Sequence, residues 1–108
     1  MNIRKKLDDF VSYLNNTMEH PNHYWYNYTT RGSKYFKIIM NSGDNHRSVY
    51  CFVDKRTGDI LKSAGWRAPA KGIRGSVLIT ESYANADWHG GWLYKIFGNI
   101  YEGVKNVR

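Results

Sequence analysis

Apolar residues near the start of the chain recur at steps of three and four positions. The stripe consists of Leu7, Phe10, Val11, Leu14 and Met18. This spacing places all of them on one face of an α-helix, and Pro21 prevents much continuation beyond it. The pattern predicts an amphipathic helix over residues 3–18.

From residue 23 the pattern changes to runs of aromatic and β-branched residues separated by turn-forming residues, which favours β-strands. The predicted strands cover residues 23–30, 34–40, 47–53 and 60–62. Residues 66–76 are predicted to be mainly loop, with one helical turn starting at Pro69 as an option. Residues 77–80 are either a last strand or the start of a cover over the sheet.

A helix laid across one face of a four- or five-stranded antiparallel meander buries both apolar patterns at once. The predicted fold class is therefore α+β, with the helix first. Residues 92–104 repeat at helical steps and leave a short C-terminal helix open, although Gly98 and Gly103 weaken it. No repeat or long linker divides the chain, so residues 1–108 are predicted to form a single domain.

The charge is positive and unevenly distributed. Sixteen Lys and Arg against nine Asp and Glu give a formal charge of +7. Between residues 55 and 75 one acid, Asp59, accompanies the cations Lys55, Arg56, Lys62, Arg67, Lys71 and Arg74. Such a segment attracts phosphate-rich partners, although basic surfaces also serve solubility alone.

The cysteine content and the hydropathy suggest a compartment. A single cysteine, Cys51, excludes an internal disulfide, and its apolar surroundings indicate a small buried hydrophobe rather than a nucleophile. The N-terminus has no apolar core of a secretory signal, and the apolar runs are too short for a membrane span. We therefore expect a cytoplasmic protein without membrane contact.

Residues 62–76 are the strongest candidate for a binding site. Glycines let backbone N–H groups approach a phosphate, and lysine and arginine add charge-assisted hydrogen bonds. The predicted anion or nucleic-acid site comprises Lys62, Trp66, Arg67, Lys71, Arg74 and Ser76. The spacing is not that of a Walker loop, and the alternative is that Trp66 plugs the core while the cations are solvated.

Aromatic residues interleaved with cations form a second candidate. Strand alternation places Tyr24, Tyr26 and Tyr28 on one side and Trp25 with Asn27 on the other. The tyrosine row could stack the bases of single-stranded nucleic acid, or it could be ordinary cross-strand packing.

Signals for catalysis or metal binding are weak. His20 and His23 straddle Pro21 without a cysteine or carboxylate at ligand spacing. Asp87 could orient His89, but no serine or cysteine is matched to that pair. We predict neither enzymatic activity nor a metal or cofactor.

Two adjoining motifs carry a resemblance to a known group. An Asp-x-x-Thr-Gly-Asp hairpin at residues 54–59 leads into Lys-x-Ala-x-Trp-x-Ala-Pro-Ala at residues 62–70 and Arg74-Gly75. In this the chain resembles small uncharacterised proteins encoded by tailed bacteriophages. The resemblance implies a phage-type protein working in a bacterial cytoplasm, and it assigns no catalytic residue.

Two function classes follow. The first is a small non-enzymatic module that binds nucleic acid or a nucleotide through residues 62–76. The second is a protein–protein module, such as an inhibitor of a host protein or a minor assembly component, since tyrosine, tryptophan and arginine are typical interface anchors. A homodimer that covers the open sheet face stays an option in either class.

Overall fold

The predicted α+β architecture is confirmed by the computed structural model, which describes residues 2–94. The elements are α1 (Ile3–Asn16), β1 (Trp25–Thr29), β2 (Tyr35–Asn41), β3 (Arg47–Asp54), β4 (Asp59–Ser63) and β5 (Pro69–Ser76), followed by 3-10 turns at Thr80–Tyr83 and Gly91–Tyr94. The five strands form one antiparallel sheet in the order of the sequence. None of the helices among residues 2–94 is long and apolar enough to cross a membrane.

Helix α1 forms where the apolar stripe predicts it. It begins after Asn2, whose Oδ1 accepts a hydrogen bond from the Lys5 backbone N–H at 3.0 Å, and this satisfies a free amide of the first turn. The stripe is buried against the sheet, with Leu7, Phe10 and Leu14 fully inaccessible. The helix ends at Asn16, two residues earlier than predicted, but Met18 is still buried.

Helix α1 is also fastened to β1, which lies at one edge of the sheet. The Asn15 side chain donates to the Tyr26 carbonyl at 2.9 Å and accepts from the Tyr26 N–H at 2.8 Å. At the other end of the helix, the Tyr28 hydroxyl donates to Asp8 at 2.6 Å and accepts from Arg4 Nε at 2.8 Å. Backbone groups that an edge strand would leave unpaired are thus partly satisfied by the helix.

The sheet has one face covered by α1 and one face that α1 does not touch. The helix-side face contributes Tyr26, Phe36, Ile38, Cys51, Val53 and Ile60 to the core. We call the opposite face the outer face. By alternation and register, it carries Trp25, Asn27 and Thr29 of β1, Tyr35, Lys37, Ile39 and Asn41 of β2, Arg47, Val49 and Phe52 of β3, Leu61 of β4 and Ile73 of β5.

The prediction that residues 66–76 are mainly loop is wrong, because Pro69–Ser76 forms β5. Proline and glycine are tolerated there because β5 is an edge strand. Its register with β4 is irregular, and Gly72 has a φ of 100° that breaks regular alternation. Gly75 also allows a close approach, since a Cβ there would lie 3.1 Å from Ser82 Oγ.

The segment after β5 covers one end of the core. Residues 77–80 are not a strand but lead into the first 3-10 turn, which buries Tyr83 beside Phe10 with ring centroids 4.8 Å apart. The predicted C-terminal helix over residues 92–104 is described only as far as Tyr94, where the chain forms a 3-10 turn. The remainder of that prediction lies outside the described residues.

A buried tyrosine holds this cover in place. The Tyr50 hydroxyl donates to the Asp87 carbonyl at 2.6 Å and accepts from Trp92 Nε1 at 2.8 Å. Burial raises the pKa of the Tyr50 phenol, so the neutral form persists in the core. The Asp87 carbonyl also accepts from the Gly90 N–H at 3.1 Å, whereas the buried Trp92 indole N–H depends on the Tyr50 hydroxyl for its partner.

Replacing Tyr50 with Phe should therefore lower the free energy of unfolding by about 1–3 kcal/mol, because the buried Trp92 indole N–H loses its acceptor. Urea unfolding followed by tryptophan fluorescence measures the change. Tyr35→Phe is the matched control, since the Tyr35 side chain is partly exposed on the outer face. Equal stability of the two variants would contradict this account of the cover.

Candidate anion-binding pocket

The loop between β4 and β5 folds back over the outer face. We call residues 64–68 the Trp66 loop; its ends are joined by a hydrogen bond of 2.9 Å from the Ala64 N–H to the Ala68 carbonyl. The Trp66 ring centroid lies 4.5 Å from Lys37 Nζ and 5.6 Å from Arg47 Cζ. These cations lie on β2 and β3, whereas the Trp66 loop connects β4 and β5. Neighbouring strands are about 4.8 Å apart. The ring therefore reaches across the sheet instead of pointing away from it.

Beside the Trp66 loop is an open cavity of about 460 Å³. We call it the basic pocket. Its lining includes the cations Arg31, Lys34, Lys37, Arg47 and Arg67, together with Thr29, Gly32, Ser33, Tyr35 and Phe52. The lining contains no acidic residue. Four segments supply the five cations: the β1–β2 loop, β2, β3 and the Trp66 loop.

The floor of the basic pocket is aromatic. Tyr35 and Phe52 meet edge to face with ring centroids 5.9 Å apart, a favourable arrangement for two rings. Phe52 is only 2 % exposed although α1 lies on the other side of the sheet. Ile39 is 1 % exposed. It lies on β2 between Lys37 and Asn41, the residue that pairs with Arg47. The Trp66 ring lies close to both Lys37 and Arg47.

Lys55 holds the β1–β2 loop, which carries Arg31 and Lys34, in place beside the basic pocket. Its ammonium group donates to the Thr30 carbonyl at 2.6 Å and to the Gly32 carbonyl. Its backbone N–H donates to the Lys34 carbonyl at 2.9 Å. The backbone of the β1–β2 loop is thus tied to the start of the β3–β4 turn, and the two cations extend from this fixed backbone.

The cations of the basic pocket have no carboxylate to neutralise them within residues 2–94. The ion pairs in this part of the chain are Lys5–Asp9 at 3.4 Å and His46–Asp44 at 2.9 Å, both outside the pocket. Asp54 is occupied locally, because its Oδ1 accepts from the backbone N–H groups of Arg56 and Thr57. The pocket is therefore a concentration of like charge at the surface, which raises the local concentration of anions.

The structure brings together only two of the six residues predicted to form the site. Trp66 and Arg67 lie at the basic pocket. Lys62 is on the other side of the sheet, with Nζ 4.6 Å from the Tyr94 ring centroid. Lys71 is exposed and does not line the pocket. Residues adjacent in a strand point to opposite faces, so the contiguous segment could not converge.

Arg74 and Ser76 have structural roles. The Arg74 guanidinium donates to the carbonyls of Gly72 at 3.0 Å, Lys71 at 2.8 Å and Leu93. It therefore joins β5 to the second 3-10 turn and has few donors left for a ligand. Ser76 is buried, and its Oγ accepts from the Leu78 N–H at 3.1 Å.

The tyrosine row proposed as a stacking platform is not an open surface, because Tyr26 and Tyr28 lie on the side of the sheet that α1 covers. Tyr26 is 2 % exposed beneath α1, and Tyr28 is bonded to helix residues. The open side of β1 carries Trp25 and Asn27 instead. Alternation gave the correct partition of these residues, and the face that α1 covers decides which set is accessible.

The histidine, carboxylate and cysteine candidates are also accounted for by the fold. The two ring nitrogens of His20 lie 2.9 and 3.1 Å from the carbonyls of Pro21 and Asn15. Asp87 accepts from the Gly91 N–H at 3.0 Å, while His89 stacks on Trp88. Burial of Cys51 raises the pKa of its thiol, which disfavours a thiolate. Among the described residues, no group of three or more His, Cys, Asp or Glu could hold a metal ion.

Comparison with known proteins identifies a family. Residues 2–95 match DUF7717, described as a family of unknown function. The chain belongs to the DUF7717 family. No curated protein and no solved structure matches it. The segment matched to DUF7717 includes α1, the five strands and every residue that lines the basic pocket.

The mutual repulsion of the pocket cations predicts a gain in stability when one is neutralised. Arg67→Gln should raise the melting temperature by about 2–4 °C in low salt, corresponding to roughly 0.5 kcal/mol. The gain should vanish at about 1 M salt, where charges are screened within roughly 3 Å. Differential scanning calorimetry at both salt concentrations measures the effect.

Lys71→Gln is the matched control, because it removes an exposed positive charge that does not line the basic pocket. It should change the melting temperature less than Arg67→Gln does. A lower melting temperature for Arg67→Gln in low salt would contradict the electrostatic description of the pocket.

Proposed function

We propose that this DUF7717 protein binds a phosphate-bearing ligand, a nucleic acid or a nucleotide, in the basic pocket. The observation that carries the proposal is the convergence of five cations around one cavity whose lining has no acidic residue. Within residues 2–94, the cations remain unpaired with carboxylates. A polyanion relieves their repulsion and gains several charge-assisted hydrogen bonds.

The residue types in the basic pocket support phosphate over other anions. Arginine presents planar donors that match phosphate oxygens in pairs, whereas lysine adds a mobile point charge. Arg31, Arg47 and Arg67 supply the first kind of group, and Lys34 and Lys37 supply the second. The cavity of about 460 Å³ is also within the usual range for small-molecule sites.

The aromatic side chains support a ligand that contains a base. Trp66 is 47 % exposed while its ring is held by Lys37 and Arg47. An indole that is both exposed and held by neighbours is suited to stacking on a nucleobase. Non-enzymatic binding in a bacterial cytoplasm, as the phage-type sequence motifs imply, is part of the same proposal.

Thermal shift with inorganic tripolyphosphate and with ATP, at constant ionic strength, tests this proposal. Both compounds should raise the melting temperature in a concentration-dependent way, by the equivalent of about 2.7 kcal/mol at a hundred times Kd. Arg47→Gln combined with Arg67→Gln should abolish most of the shift, because both charges line the basic pocket.

Lys6→Gln combined with Lys71→Gln is the matched control, since it removes equal charge from exposed positions away from the pocket. This control should keep the shift of the native protein. The absence of a shift in the native protein, or an equal shift in both double variants, would overturn the proposal.

A protein–protein module is the second proposal. It is supported by Trp25 and Trp66, which are both about half exposed on the outer face, and by Arg47 beside the Trp66 ring, since tryptophan and arginine often anchor interfaces. A partner captured from bacterial lysate after nuclease treatment, combined with no response to polyphosphate, would favour it over the first.

A further inference from the structure

A second exposed tryptophan shares the outer face with the basic pocket. Trp25 is 50 % exposed, whereas its neighbour Tyr26 is buried under α1. Asn41 donates from Nδ2 to the Trp25 carbonyl at 3.3 Å and to Asn27 Oδ1 at 3.0 Å. Asn41 is itself only 6 % exposed. The backbone at Trp25 is therefore held by the Asn41 side chain as well as by the pairing of β1 with β2.

The two exposed indoles are connected by polar and basic residues of the same face. Trp25 pairs with Asn41, and Asn41 pairs with Arg47. Arg47 extends to the Trp66 ring, with Cζ 5.6 Å from its centroid. On β1 the same face continues from Trp25 to Thr29, which lines the basic pocket. Four residues of strand span about 13 Å.

We infer that the ligand is single-stranded nucleic acid, which places phosphates in the basic pocket and stacks bases on Trp66 and Trp25. This inference rests on the proposed function. It adds a second contact site outside the pocket and a polymer long enough to reach it. Interleaved cations and rings on an open sheet are a general means of holding an unpaired strand.

The geometry favours a single strand over a duplex. An indole ring can stack only on a base whose face is free, and a duplex hides its base faces between neighbouring pairs. The basic pocket also has raised walls, formed by the β1–β2 loop and the Trp66 loop. A flexible single strand can bend so that its phosphates lie between these two loops, whereas a stiff duplex would contact only the outer edges of the loops.

The charge also disfavours a second copy of the chain as occupant of the outer face. In a two-fold dimer the same patch meets itself, so the pocket cations of one copy would face those of the other. Juxtaposed like charges oppose association. An anionic polymer instead neutralises them and releases its counterions.

The test uses fluorescence anisotropy with labelled oligothymidylate and oligouridylate of about ten nucleotides. A duplex of the same length and unlabelled thymidine monophosphate serve as competitors. The single strands should bind at least tenfold more tightly than the duplex. Trp25→Ala should weaken single-strand binding roughly tenfold, as expected for one lost stacking contact, and should leave the ATP thermal shift unchanged. Trp25→Phe should lose less, because it keeps a ring.

Tyr94→Ala is the matched control, because it removes a ring that is 71 % exposed and lies near Lys62 instead of on the outer face. Circular dichroism confirms that each variant is folded. Equal single-strand affinity of Trp25→Ala and Tyr94→Ala, or tighter binding of the duplex, would overturn the inference while the ATP shift still supports the basic pocket. Failure of every phosphate compound to bind would remove the proposed function as well.

Discussion

The packing of α1 against one face of the sheet determines the organisation of the rest of the molecule. Leu7, Phe10 and Leu14 are fully buried in that contact, and one set of alternating strand side chains, mainly apolar, faces them. Because strand residues alternate, the intervening side chains are committed to the outer face. The same constraint buries Tyr26 and exposes Trp25. The alternation of side chains along the strands therefore determines both which residues form the core and which residues line the candidate site.

The outer face can hold like charges that a core could not. A buried unpaired charge is strongly unfavourable, but a charge on an open face keeps its hydration. The structure gathers Arg31, Lys37, Arg47 and Arg67 at one cavity and uses the Trp66 ring to bridge Lys37 and Arg47. Cation–π attraction partly offsets their repulsion. The residual repulsion makes the arrangement less stable than a mixed-charge surface would be, and the polyanion that we propose as ligand would supply the missing counter-charge.

Local periodicity was sufficient to predict much of the fold. The helix stripe and the aromatic strands are visible over short windows, so α1 and the meander through β4 were expected. Strand β5 was missed because Pro69, Gly72 and Gly75 have low strand propensity, and only pairing with β4 supports the strand. Pairing with a neighbouring strand is a tertiary contact that a window of residues does not contain.

The site was harder to predict because its members are distant in sequence. Lys62 and Arg74 are close to Arg67 along the chain but lie elsewhere, while Arg31 and Arg47 come from other strands or loops. The alternation that separates Trp25 from Tyr26 was readable, but the accessible side depended on the position of α1. Once the face covered by α1 is known, alternation and register place Trp25, Lys37 and Arg47 together on the opposite face.

The four tryptophan indole N–H signals in a proton–nitrogen NMR spectrum test the central claim most directly. Trp25 and Trp66 lie on the outer face, whereas Trp88 packs on Tyr24 and Trp92 donates to Tyr50 in the core. During titration with a single-stranded oligonucleotide, the account predicts that the signals of Trp25 and Trp66 move and those of Trp88 and Trp92 stay in place. Movement of the Trp88 and Trp92 signals alone, or of none, would contradict it.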